Sequence, residues 1–239
     1  MRTALLALSL AAGCATAGSP APITPQAGTR IYSGDVFGPE QAPRFRYTRE
    51  SRVDGDRWTS THRSHDAKTG EFVVAQSAEH DASYALARYV EDHRQLGIQS
   101  EVIASDPGKL RYTTRSGNRV RHRSERIRDP AVTGPTLFGF VHTHWDRLQA
   151  GEEIAIRFVV AQRRRSYVFD LRMLDPSGDE RVVQMRARGL FVRLSVPPMR
   201  MTFDSKTHAI KRYEGRVPPR WNGRALDARV EYQHAAPYR

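Results

Sequence analysis

Cysteine is almost absent from these 239 residues: Cys14 is the only one. No disulfide can form within the chain, so the fold must rest on core burial alone, which a chain of roughly 200 residues can supply. Lysine is nearly as scarce, since only Lys68, Lys109, Lys206 and Lys211 are lysines among 38 basic residues. Long apolar runs are missing too. The longest, Ala4 to Ala12, falls well short of the about 20 residues that cross a bilayer as a helix. There is no H-E-x-x-H pair, no G-x-S-x-G elbow and no glycine-rich phosphate loop, which removes the metalloprotease, serine-hydrolase and nucleotide-binding readings that announce themselves in sequence. No cofactor motif is present, and no cofactor is expected.

The N-terminus reads "MRTALLALSLAAGCATAG": one positive charge, a short apolar run and small residues. This is the pattern of a signal peptide, expected over residues 1–13. The segment "LAAGC" resembles a bacterial lipobox, and that resemblance implies that Cys14 is diacylated and becomes the first mature residue. Ala15 after the cysteine further implies the outer membrane. The alternative is an ordinary signal peptide cut near Ala15 or Ala17, with Cys14 discarded. Residues 14–29 are small, proline-rich and uncharged up to Gln26 and beyond, as expected of a tether to the membrane.

The net charge is +12. In an exported protein it favours phospholipid or lipopolysaccharide headgroups or acidic polymers. Nucleic acid is not an expected partner, because no recognised binding module accompanies the charge. A solvated arginine-rich surface is the plainer reading.

From Arg30 onward one domain is expected, and its dominant pattern has period two. Ile154, Ile156, Phe158 and Val160 share a face, as do Tyr167, Phe169, Leu171 and Met173. Leu190, Val192, Leu194 and Val196 follow, then Met199, Met201 and Phe203, then Ala228, Val230 and Tyr232. These are expected strands with one apolar face. Turn residues at 54–55, 107–108, 116–118, 176–179 and 204–208 separate them at short intervals, which favours antiparallel neighbours. Arginine occupies many alternate positions, including Arg111, Arg115, Arg119, Arg121, Arg123, Arg186, Arg188, Arg200 and Arg229, so one face is expected to be wet and basic. The expected fold is mainly β (α+β): a long antiparallel meander of about nine to eleven strands, curved into a half-barrel, with one or two helices covering the concave face.

Two segments are candidate covers. The first, residues 81–97, places Leu86, Tyr89, Val90, His93 and Leu96 at helical spacing, with Asp81 or Ser83 at its start and Gly97 past its end. The second, about 136–149, repeats Leu137, Phe138, Val141, Trp145 and Leu148 at three and four, with Thr133 or Pro135 before it and Gly151 after it. An apolar pocket between sheet and helix would be lined by Phe138, Val141, Trp145, Tyr167, Phe169, Met199, Met201 and Phe203, side chains that also suit a plain core.

The second segment contains "FVHTHWD". On a helix, His142 and His144 point about 200° apart and cannot hold one ion together, whereas His142 and Asp146 share a face. The expected arrangement is an exposed polar edge with Trp145 packed beneath; on a strand, both histidines would share a face and a metal reading would revive. His62, His65 and His80 read as surface residues at strand ends.

The run "TGPTLFGFVHTHWDRL", then strands, then "MTFDSKTHAIKRYEGRVPP" and "DARVEYQ", resembles a group of uncharacterised exported or lipid-anchored proteins of Gram-negative bacteria. More distantly, the arrangement is similar to the periplasmic half-barrels that carry or receive lipoproteins, which implies a space between sheet and helices. The expected function is a membrane-tethered binding or scaffold domain on the periplasmic side of the envelope, for a lipidic or amphipathic anionic ligand or an envelope partner. The alternative is a metal-assisted hydrolase built on His142, His144 and Asp146.

Overall fold

The computed structural model describes residues 30–39, 42–106, 108–174 and 178–233. The expected signal segment, Cys14 and the tether lie outside these residues, as do Pro107, Pro176 and Ser177 of the expected turns.

Fifteen strands form among the described residues. The first eight are β1 (Arg30–Phe37), β2 (Pro43–Asp54), β3 (Arg57–Asp66), β4 (Phe72–His80), β5 (Leu86–His93), β6 (Ile98–Asp106), β7 (Lys109–Ser116) and β8 (Arg119–Arg126). After the two-residue β9 (Ala131–Val132) come helices α1 (Gly134–Thr143) and α2 (Trp145–Gln149), then β10 (Ile154–Val160), β11 (Arg165–Leu174) and β12 (Glu180–Ala187). Helix α3 (Leu190–Ser195) precedes β13 (Met199–Asp204), β14 (Ile210–Trp221) and β15 (Arg224–Gln233). They make one sheet ordered β8-β7-β6-β5-β4-β3-β2-β1-β15-β14-β13-β12-β11-β10-β9, with β1 and β15 joining its two halves.

Every pairing is antiparallel except β9 with β10. A parallel pair needs a long crossover, and α1 with α2 is that crossover. It runs through the concave side of the sheet, so α1 is buried along its whole middle, from Pro135 to Val141. A helix apolar on all sides belongs in such an interior.

The sheet does not close by pairing its edges. Instead its ends overlap: Tyr89, Val102, Leu110 and Tyr112 of β5 to β7 pack on Val159 and on Ala161, which begins a short 3-10 turn after β10. Glu125 of β8 fastens the overlap, accepting from the Tyr112 hydroxyl and from the Ser166 backbone N–H, both at 2.9 Å.

Four expectations are corrected. Residues 81–97 are a strand and a 3-10 turn, not a helix. Tyr89, Glu91 and His93 alternate inward in β5, and Asp81 holds the backbone N–H groups of Ser83 and Ala85 in a tight loop instead of capping a helix. Residues 190–195 are helical, not extended. Val192 and Val196 stand four apart, a spacing that both periods share, and both pack on the core. The helix expected at 136–149 breaks at His144. There the Thr143 hydroxyl and His144 Nδ1 reach the Phe140 carbonyl, at 3.0 and 2.9 Å, which the helical backbone would otherwise use. Such side-chain competition ends helices. Fifteen strands also exceed the expected number. The strand β8 is exposed almost throughout and β9 has two residues, so neither carries an apolar stripe to read.

Candidate functional site

One buried residue on each of strands β1 to β7 lies at the same level of the concave face. Cross-strand pairing runs Tyr32 to Arg49, Arg49 to His62, His62 to Gln76, Gln76 to Glu91, Glu91 to Ser100 and Ser100 to Thr114. All seven are buried. The result is a continuous polar row on the inner wall of the half-barrel, which side-chain alternation on neighbouring strands holds in register.

The row is partly bonded. Arg49 donates from Nη2 to the Pro135 carbonyl at 2.9 Å, tying the wall to the first turn of α1, and its guanidinium lies 5.1 Å from the Phe138 ring centre. Gln76 Nε2 and the Tyr89 hydroxyl both donate to Glu91 Oε2, at 2.7 and 2.9 Å. Three buried atoms in the middle of the row have no partner: His62 Nε2, Gln76 Oε1 and Glu91 Oε1. Burial, with the Arg49 charge as the second cause, holds the His62 imidazole well below its ordinary range, so the ring is neutral at pH 7.

Those three residues face a cavity of about 460 Å³. Its lining also includes Val36, Phe138, Phe158, Phe169, Met199 and Val230, together with Arg163, Arg216 and Arg220. Arg216 is held by Asp227 through contacts of 2.6 and 3.1 Å, and its Nη2 donates to the Ser195 carbonyl of α3 at 3.3 Å. Helix α3 borders the same space through Phe191, Val192 and Ser195. The arrangement suits an amphipathic molecule, with apolar side chains that exclude water and polar ones with hydrogen-bonding capacity left over.

The sequence-derived lining residues divide. Phe138, Tyr167, Phe169 and Met199 border the cavity. Val141, Trp145, Met201 and Phe203 are not among its lining residues; they are fully packed in the core, where Trp145 meets the Phe203 ring edge-on at 5.5 Å.

The histidines of "FVHTHWD" do not meet. His142 Nε2 donates to the His208 carbonyl at 2.8 Å, while His144 turns back to Phe140, and Asp146 is exposed. Trp145 stacks on the His208 ring at 4.0 Å. Among the described residues no group of three His, Cys, Asp or Glu side chains is placed to hold a metal ion. His62 and His80 are not surface residues. They face inward from β3 and β4, and His80 accepts at Nε2 from Ser60 at 3.0 Å while its Nδ1 donates to the Asp81 carbonyl at 2.8 Å.

The polar row itself was not anticipated. Each strand contributes one member, so no spacing along the chain marks it; the only trace is a polar residue where alternation calls for an apolar one, as at Arg49 after Phe45 and Tyr47.

No family model matches the sequence, and no curated protein matches it. Among solved structures, the chain is similar to the β-barrel-like protein of domain of unknown function DUF1849 from Brucella abortus, with a TM-score of 0.51 and 9% identity over 88% of this chain and 97% of that one. The likeness shows a β-barrel-like fold. Rv2717c from M. tuberculosis also aligns, over 89% of this chain and 95% of that one at 14% identity, with a TM-score of 0.25.

Proposed function

We propose that this protein is a non-enzymatic binding domain of the bacterial envelope that takes an amphipathic ligand into the open half-barrel. The observation that carries the reading is that His62, Gln76 and Glu91, each with a buried polar atom that has no partner, line a cavity together with apolar side chains such as Phe138, Phe169 and Met199. Leaving a buried polar atom unsatisfied costs roughly 1–3 kcal/mol, so a molecule that bonds to the row regains that energy. Gln76 Oε1 and Glu91 Oε1 only accept hydrogen bonds, so the part of the ligand beside them must donate. The apolar part packs on Phe138, Phe169 and Met199, and an acidic group is met by the arginines of the lining. In this reading Cys14 carries the lipid that tethers the domain on the periplasmic side of the outer membrane.

Native mass spectrometry of the full chain carrying Cys14→Ser, purified without detergent or chelator, tests this. An amphiphile-sized adduct is expected, either co-purified or formed with added myristate. Val192→Trp, which fills the cavity from α3, should reduce it. A bare mass under both conditions would leave only a scaffold role, and a stoichiometric zinc-sized adduct would return attention to the histidines.

A further inference from the structure

Four large apolar side chains are exposed among the described residues, and three of them lie within one turn and a half of α3: Leu190, Phe191 and Leu194 are 66%, 85% and 77% exposed. Single exposed apolar residues need no explanation, but a cluster on one short element marks a contact surface. This cluster is not a frayed end. Val192 and Val196 anchor the helix on the main core, the Ser195 hydroxyl donates to the Phe191 carbonyl at 3.1 Å, and Arg216 reaches the Ser195 carbonyl. The helix is therefore held with Leu190, Phe191 and Leu194 exposed beside the cavity.

Its charge identifies what it meets. From Arg186 to Phe203 the chain contains Arg186, Arg188, Arg193 and Arg200 and no carboxylate. All four arginines are exposed; among the described residues Arg188 is salt-bridged to Asp170 at 2.6 Å, Arg186 and Arg200 stand opposite Asp170 and Glu214 on neighbouring strands, and Arg193 has no salt bridge. Leu190, Phe191 and Leu194 projecting around an exposed Arg193 that has no salt bridge among the described residues match the interface of an anionic bilayer, where the ring and branched chains enter the acyl boundary and the cation remains at the phosphates.

We propose that α3 docks on an anionic lipid surface and so brings the cavity, which Phe191 and Val192 border, against the membrane. This contact is separate from any anchor at Cys14 and stands whether or not the cavity holds an amphiphile.

The test uses the full chain with Cys14→Ser and co-flotation with vesicles of phosphatidylglycerol and phosphatidylcholine, or of phosphatidylcholine alone. The protein should partition more strongly onto the anionic vesicles. Leu190→Ser, Phe191→Ser and Leu194→Ser together should lower that partition by at least ~10-fold. The three sites are exposed, so the near-ultraviolet circular dichroism should be unchanged, which separates lost docking from lost folding. Arg193→Glu should weaken binding to the anionic vesicles only. In a Phe191→Trp protein, brominated lipid should quench the added fluorescence. Equal partition of the parent and the triple variant would overturn the proposal, as would a purely salt-sensitive attachment without quenching. Loss of a dimer, rather than of vesicle binding, in the triple variant would assign the patch to self-association instead.

Discussion

Replacing Gly139 by alanine is expected to destabilise the fold by about 2–3 kcal/mol, the upper part of the usual range for overpacking a core. Gly139 lies in the middle of α1, where alanine would ordinarily be preferred over glycine by roughly 1 kcal/mol. Here the added Cβ would overlap the ring of Tyr84. That ring has no easy retreat. It stacks on His80 at 4.6 Å, and its backbone sits in the left-handed region at φ 63°, held by the loop that Asp81 organises. Equilibrium denaturation of Gly139→Ala measures the loss. In a Tyr84→Ala background the same substitution should become neutral or slightly stabilising, because the obstacle is gone and helix propensity remains. If Gly139→Ala cost the same in both backgrounds, the close approach of loop and helix would not be the reason for glycine.

This contact shows what the sequence could and could not reveal. The helical character of 136–149, though not its break at His144, was legible because Leu137, Phe138, Val141 and Leu148 repeat at helical spacing, and β10, β11, β13 and β15 were legible because each has a dry face. The turns were legible where glycine is needed, as at Gly55 and Gly117, whose φ values of 56° and 54° other residues adopt reluctantly. Nothing local marks Gly139 as the seat of Tyr84, 55 positions earlier in the chain. Segment 81–97 misled for a related reason. Its apolar residues fit a helix, but the open edges of β4 and β6 on either side supply backbone partners that outweigh that pattern. The polar row lies further still from sequence, because it exists only once seven strands are in register.

Acid should destabilise this protein at pH values where carboxylates are still ionised. Burial is the leading cause that holds both His62 and His80 below the ordinary histidine range, with the Arg49 charge adding to it, while the hydrogen bond to Asp81 partly offsets the shift at His80. The unfolded chain therefore binds protons near pH 6.5 that the native protein refuses. Stability from this source is complete above that value and is lost as the pH falls from it toward the lower native pKa values. Each fully neutral histidine contributes a slope of about 1.4 kcal/mol per pH unit, so the pair contributes up to about 3, and His93, His144 and His208, which burial also holds below the ordinary range, add in the same direction. Asp66 and Asp81, whose native pKa values are also lowered, act in the same direction but only near pH 4 and below. Chemical denaturation at pH 7.5, 6.5 and 5.5 should show the midpoint falling through that range, with a shallower fall for His62→Gln; a flat profile would mean that His62 is accessible to protons in the native state. The same linkage reads the orientation of a ligand. A hydroxyl or amine that donates to His62 Nε2 requires the neutral ring, so its binding would weaken on acidification. An acidic group placed there would bind more tightly as the ring gains its proton. The sign of the pH dependence of myristate binding, compared with that of a long-chain alcohol, therefore reports which end of an amphiphile meets the polar row.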